Sequence, residues 1–393
     1  MSYALGVVSF VVLMLLSVMA HEAGHFATAK HFGMKASRFF VGFGPTLWSF
    51  RRGETEYGVK ALPIGGFVKI HGMTALEEIA PEDEPRAFYR QPAGQRFVVL
   101  CAGSFMHFVI AILLVFGVLA ATGQDPIRTN GLQVAGVTQC LTPSGTGSCA
   151  GQPAAPAYGV LRTGDILLSV NGQQVSSSGM NFIQELRRDA GRAATIVFQR
   201  NGVTHTATIT PVPVKVGKHE QGRIGIQTEQ RAAAVSVGGA FGRTFTLMGD
   251  FMSSTVSAIG GIPHEVHQIF AGEQRGSNSA ASVVDVARVS GQITASGAST
   301  GDIVASLLLI IAELNLFVGV FNLLPLLPLD GGHVAILAFE EARARVYRVV
   351  GRRDPGRVDI MKVLPVTYAF FALLVGLSLI MLYAGVTNPI SIQ

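Results

Sequence analysis

Charge is what this sequence has least of. Only 14% of its 393 residues are Asp, Glu, Lys or Arg, against 49% apolar, whereas a water-soluble domain carries about a quarter charged residues. An ordinary soluble enzyme is therefore excluded. Three Cys are too few for a disulfide-built scaffold. Basic blocks are missing too: 30 Lys and Arg against 25 Asp and Glu leave a net +5 that is spread along the chain, which argues against a nucleic-acid surface. No Lys or Arg precedes Lys30, so the first apolar run lacks the basic start of a cleaved signal peptide, and a cut near Ala20 would discard the helix bearing the motif that follows. Gly and Pro are plentiful, at 46 and 17, but they lie between apolar runs, so disorder is not indicated.

What is present is hydrocarbon. Four stretches, Ser2 to Ala20, Phe97 to Thr122, Ile303 to Leu329 and Val363 to Val386, reach the roughly 20 apolar residues that a bilayer core of about 30 Å requires. The fold class is thus a polytopic α-helical membrane protein with four transmembrane helices. The connection after the first span carries Lys35, Arg38, Arg51, Arg52, Lys60, Lys69, Arg86, Arg90 and Arg96, and the one before the last carries Arg343, Arg345, Arg348, Arg352, Arg353, Arg357 and Lys362. The positive-inside rule makes both cytoplasmic, leaving the termini and the long region between the second and third spans outside the cell membrane.

The chain divides accordingly. Residues 1–32 form the first span, and 33–96 a cytoplasmic-side β-rich loop, in which aromatic and β-branched runs alternate with Gly and Pro. Residues 97–122 form the second span. Residues 125–227 form an α+β module with strand-like pieces at Gly131 to Thr138, Ile166 to Val170, Ala194 to Gln199 and Thr204 to Pro211, and a helix-like piece at Met180 to Ala190. An amphipathic helix and a loop fill 228–302, the loop over 271–301. The third span and its polar end occupy 303–333, a cytoplasmic loop 334–362, and the fourth span 363–386. Cys140 and Cys149 flank a Gly/Ser/Thr-rich loop on the outer side, where they are expected to pair.

The chemistry sits at the ends of two spans. His21-Glu22-Ala23-Gly24-His25 closes the first. On a helix, His21 and His25 share a face one turn apart and can both reach one tetrahedral zinc, with Glu22 beside them to move a proton. Such a pattern also arises by chance, but two His and a Glu at the end of a spanning helix are costly in hydrocarbon without a function or partners. A catalytic zinc needs a third protein ligand. Asp330, in NLLPLLPLDGGH at Asn322 to His333, is the candidate, and the orientation argument puts it at the same membrane depth; His333 is a rival. Pro325 and Pro328 interrupt the third segment, and irregular backbone at that depth is tolerated only where it is buried or lines a wet cavity. Glu313, inside the third segment, is expected to pair with Asn315 or His107. His31, His71, His107, His205, His219, His264 and His267 read as structural or solvated.

HEAGH in the first span, NLLPLLPLDGGH in the third and the GDILLSVNGQQV run at Gly164 to Val175 carry a resemblance. The last resembles a bacterial PDZ domain, and the whole chain looks like the site-2 protease family of intramembrane zinc metalloproteases, most of all its bacterial one-PDZ, Rip-type regulators. The resemblance implies His21, His25 and Asp330 as Zn2+ ligands and Glu22 as general acid/base, with Asn322 and Pro325 accommodating the unwound substrate helix. It also implies a membrane-associated β element over GFGP at 42–45 and YGVKALPIGGFVKIHG at 57–72. The expected partners are membrane lipid and single-pass membrane proteins, anti-sigma factors foremost, with no nucleic acid. Two other classes remain at this point. A PDZ scaffold or chaperone would function with Glu22→Gln. A metal transporter would use intramembrane His and Asp as an ion path but leaves the H-E-x-x-H order unexplained.

Overall fold

In the computed structural model the described residues are 2–73, 79–141, 149–175, 180–216, 219–270, 282–353, 356–358 and 360–387. They divide into two units, Met1–Val118 with Phe241–Gln393, and Leu119–Ala240. The first unit is helical apart from one β hairpin. Its helices are α1 (Tyr3–His31), α2 (Ala93–Thr122), α4 (Val237–Phe270), α5 (Val283–Ala295), α6 (Thr300–Asn322), α7 (Asp330–Val349) and α8 (Ile360–Thr387). Among the described residues four helices, namely α1, α2, α6 and α8 over Val363–Thr387, are long and apolar enough to cross a membrane. Large side chains such as Val8, Leu16, Phe105, Leu373 and Leu379 are exposed on them, a surface that hydrocarbon covers.

Helices α1 and α6 touch, and their C-terminal ends carry the two motifs. His21 lies roughly 27 Å along α1 at 1.5 Å per residue, near the far side of a hydrocarbon core. The third apolar run does not stay helical to Leu329. Helix α6 stops at Asn322, and residues 323–329 form an irregular segment, because Pro325 and Pro328 lack the N–H groups that would continue the helix. Helix α7 then starts at Asp330. A Cβ on Gly331 would stand 2.3 Å from Leu323 O, and one on Gly332 2.5 Å from Leu327 N, so the two glycines let the segment fold back against the helix start and set Asp330 in place.

Two stretches differ from the sequence expectation. Of the supposed 271–301 loop, 271–281 lie outside the described residues, 296–299 are non-helical, Thr300 and Gly301 open α6, and 283–295 form helix α5. Ser282 and Asp285 close a capping box at its start. Its small residues meet α1 so tightly that a Cβ on Gly6 would stand 2.3 Å from Ser290 O, and one on Gly291 2.5 Å from the Tyr3 ring. The arginine-rich connection 334–362 is helical through Val349, as α7.

After α1 the chain forms the expected β structure, β1 (Ala36–Arg52) antiparallel to β2 (Thr55–Ile70). The hairpin folds on itself: Phe39 stands opposite both Val68 and Tyr57, and Trp48 stands opposite Val59. Glu54, at the β1–β2 turn, accepts two hydrogen bonds from the Arg86 guanidinium at 2.6 and 2.9 Å and pairs with Lys30 at the end of α1. The Arg86 hydrogen bonds outweigh burial and, with Lys30, hold the Glu54 carboxyl at about 2, well below its ordinary 4.5.

The second unit is a sheet in the order β10–β3–β4–β6–β7, with β5 beside β4 and a separate β8–β9 ribbon. The strands are β3 (Gln124–Val137), β4 (Ile166–Val170), β5 (Gln173–Gln174), β6 (Ala194–Arg200), β7 (Val203–Ile209), β8 (Val212–Val216), β9 (His219–Arg223) and β10 (Ile226–Ala234). Helix α3 (Met180–Arg188) contributes Phe182 and Leu186 to a core with Leu132, Leu167, Ile196 and Phe198. The Asn171-Gly172 pair makes the turn the sequence announces, both residues at positive φ, 49° and 79°. Cys140 and Cys149 are disulfide-bonded. Burial pushes the Asp165 carboxyl up, but the Arg200 guanidinium 2.7 Å away, with the Arg162 N–H that donates to it at 2.8 Å, more than offsets this and leaves the group below its ordinary value.

Candidate metal centre

Helix α1 brings His21 and His25 to one face, and both are buried, 7% and 4% exposed. Their Nε2 atoms stand 3.2 Å apart. Asp330 Oδ2, from the first residue of α7, lies 3.4 Å from each of them. Among the described residues this is the group of His, Cys, Asp and Glu side chains gathered closely enough to hold a metal ion. The rival His333 does not join it.

The triangle can be tested against zinc directly. Ligands at about 2.0–2.2 Å from a tetrahedral ion stand roughly 3.3–3.6 Å from one another, and the three observed edges are 3.2, 3.4 and 3.4 Å. The Val99 carbonyl accepts from His25 Nδ1 at 2.7 Å, which fixes the tautomer and leaves the Nε2 lone pair toward the cluster. Among the described residues Asp330 Oδ2 and His21 Nδ1 are buried with no hydrogen-bond partner, and an orphaned carboxylate oxygen beside two imidazole nitrogens needs a cation. These residues fit the ion.

Glu22 sits beside the cluster and is partly exposed. Asn322 ends α6 just before the irregular segment that leads to Asp330 and Pro325 lies within it, Asn322 partly exposed and Pro325 exposed. Glu313 is exposed on α6 and makes neither of its expected pairings. Asn315 and His107 bind each other instead, with Oδ1 accepting from His107 Nδ1 at 2.8 Å, and Asn315 Nδ2 donates onward to Ser17 Oγ at 3.0 Å.

Sequence reasoning passed over the neighbours that shape the site. A Cβ on Gly103 of α2 would stand 2.3 Å from His25 Nε2 and 2.5 Å from His21 Cε1, so only glycine leaves that helix face open for the two imidazoles. The small Gly103-Ser104 pair inside an apolar run was the available signal, since small residues let membrane helices approach closely. Val68 of β2 donates its backbone N–H to Glu22 Oε2 at 3.1 Å, and nothing in the sequence announces this bond.

The sequence profile of peptidase family M50 matches residues 9–352. Zinc metalloprotease Rip1 of Mycolicibacterium smegmatis is 33% identical over 413 residues, covering 100% of both chains. Rip1 of Mycobacterium tuberculosis is 35% identical and covers 99% of each. Among solved structures, the PDZ domain of an SdrC-like protein from Listeria monocytogenes covers 26% of this chain and 93% of its own, at 21% identity and a TM-score of 0.20.

Proposed function

The chain belongs to peptidase family M50, is a multi-pass zinc metalloprotease of the membrane, and from that premise we propose that His21, His25 and Asp330 hold the zinc and Glu22 moves the protons. The observation that carries the assignment is the triangle of ligand atoms with an orphaned Asp330 oxygen at its apex. Zinc, when bound, polarises the scissile carbonyl and makes water a nucleophile near neutral pH. Glu22 takes the proton from the attacking water and hands it to the leaving amine. His25, locked by Val99, keeps its ligand nitrogen aimed at the site. Helices α1, α2 and α6 limit bulk water around it.

The substrate is a single-pass membrane protein, an anti-sigma factor already trimmed outside. Scission requires an extended backbone, and the irregular segment with Asn322 and Pro325 is the seat we assign to the unwound span. The β hairpin serves as a membrane-associated ledge, a reading supported by the exposed Leu47, Trp48, Leu62 and Ile64 on it. We place both termini and the sheet unit outside the cell membrane, from the basic connections of the sequence. The sheet unit acts as a PDZ-like filter. In support, β10 ends the sheet, and a cavity of about 260 Å³ lies along its start, lined by Ile183, Leu186, Arg187, Ile226 and Cys140; an extended peptide there would add a strand.

The test uses purified protein in detergent: zinc content, and cleavage of a panel of single-span anti-sigma-factor segments, for wild type, Glu22→Gln and Asp330→Ala. We expect about one zinc per chain, cleavage abolished by Glu22→Gln with the metal retained, and metal lost from Asp330→Ala. A Glu22→Gln chain that cleaves at the wild-type rate would overturn the assignment of Glu22.

A further inference from the structure

A carboxylate that moves protons has to present one oxygen to water in a fixed pose. A Glu side chain with three free torsions does not hold such a pose unaided. Among the described residues Glu22 has one hydrogen bond, and it comes from the β hairpin: the Val68 N–H donates to Oε2 at 3.1 Å. Val68 stands opposite Phe39 in the sheet, and its N–H reaches Glu22 on α1. The bond therefore joins a sheet edge to the helix of the metal centre.

The strand is built to reach that far. A Cβ on Gly66 would stand 2.4 Å from Met19 Sδ of α1 and 2.9 Å from Phe40 O of β1, and Gly65 has φ +141° with Phe43 of β1 3.0 Å from where its Cβ would be, so a side chain at 66 would crowd both α1 and the partner strand and one at 65 would strain the backbone that leads to Val68. Both ends of β2 are held. At its start the Glu54–Arg86–Lys30 cluster ties the turn to the end of α1. Just past its end, the His71 N–H donates to Lys35 O at 2.9 Å and the Phe88 N–H to His71 O at 2.8 Å.

We propose that Val68 is a positioning residue of the protease. Its backbone N–H anchors Glu22 Oε2 and leaves Oε1 for proton transfer, so the β element serves the chemistry as well as the substrate. This rests on the role given to Glu22 above. The side chain of Val68 is immaterial to it, and the Gly65-Gly66 pair is what brings the donor within range.

Two experiments on the full-length zinc-loaded protein decide it. In the first, the valine at 68 is replaced by its α-hydroxy acid through nonsense suppression, turning the amide into an ester without changing the side chain. We expect kcat to fall roughly ten- to a hundredfold, part of what a general acid/base contributes, with KM within about twofold and zinc content unchanged. In the second, amide hydrogen exchange of Val68 is compared in wild type and Glu22→Ala. We expect protection in the first and its loss in the second, a readout independent of turnover and of whether the ester chain folds. Wild-type kcat in a folded ester chain, or Val68 protection indifferent to Glu22→Ala, would overturn the proposal. If Glu22→Gln is inactive while the ester chain is fully active, only this inference falls; if Glu22→Gln is itself active, the reading beneath it falls first.

Discussion

Two clusters of buried polar side chains stand next to each other along α1, one shared with α2 and α6 and the other with α7, and they are built on opposite plans. His107, Asn315 and Ser17 satisfy one another: the Asn315 oxygen accepts from His107, its amide donates to Ser17 and to Ile311 O, and Ser17 donates to Leu13 O. His21, His25 and Asp330 do not, since their facing nitrogens and oxygen lie 3.2 to 3.4 Å apart and Asp330 Oδ2 has no donor. The rings of His21 and His107 are only 5.0 Å apart between centroids, so depth and burial do not distinguish the clusters. The difference lies in spare valence. A closed network of hydrogen bonds holds helices together, whereas an open one is kept for a guest.

The sharpest way to break this comparison is at the open cluster. His25→Ala should empty the site and lower cleavage by at least about 10³-fold, the several kcal/mol a Lewis acid supplies, as metal analysis and turnover will show together. A smaller effect is expected from Gly103→Ala. Its Cβ would intrude on both imidazoles, and zinc affinity measured by competition with a chelator should drop about 10- to 100-fold, the scale of losing ligand orientation.

The closed cluster should respond in a different quantity. His107→Ala leaves Asn315 without its donor and should cost about 1–3 kcal/mol of stability, read by unfolding in detergent, while zinc content stays at the wild-type value. Converting both partners, His107→Phe with Asn315→Leu, should recover much of that loss. A His107→Ala chain that purifies without zinc would erase the distinction between the two clusters.

The smallest effect lies at the aqueous edge, in the Glu54–Arg86–Lys30 cluster. Because the folded Glu54 carboxyl sits at about 2 rather than 4.5, its contribution is fully present above the ordinary value and is lost as pH falls through that window. Arg86→Ala should remove about 1 kcal/mol or less and flatten the stability profile between those two pH values, leaving the metal untouched.

Much of this was legible in the sequence because it rests on local pattern. Four apolar runs, the i and i+4 histidines, the Asn171-Gly172 turn and the Cys140–Cys149 loop each declare themselves within a short window. Asp330 was legible because its aspartate ends an apolar run at the depth of His21. Helix α5 was not, because its stability comes from Gly291 and Ser290 packing on Tyr3 and Gly6, some 285 residues away, and small residues between polar ones look like a loop. The pairing of His107 with Asn315 across 208 residues depends on how α2 and α6 face each other, which no periodicity reveals. Glu313 was expected to pair with Asn315 or His107, but those two bind each other, and helical geometry puts Glu313 on the exposed face instead.

The donor at Val68 has a consequence for how such proteins are surveyed. An alanine scan along β2 exchanges side chains and leaves every amide in place, so at position 68 it would report the packing of the valine side chain and not the donor, whose loss it would register at the glycines before it, most sharply at Gly66, where a methyl group would crowd Met19 and Phe40 O. A contribution to catalysis written in the main chain is inherited as room for the backbone, and its trace in a mutational map falls two residues from the atom that does the work.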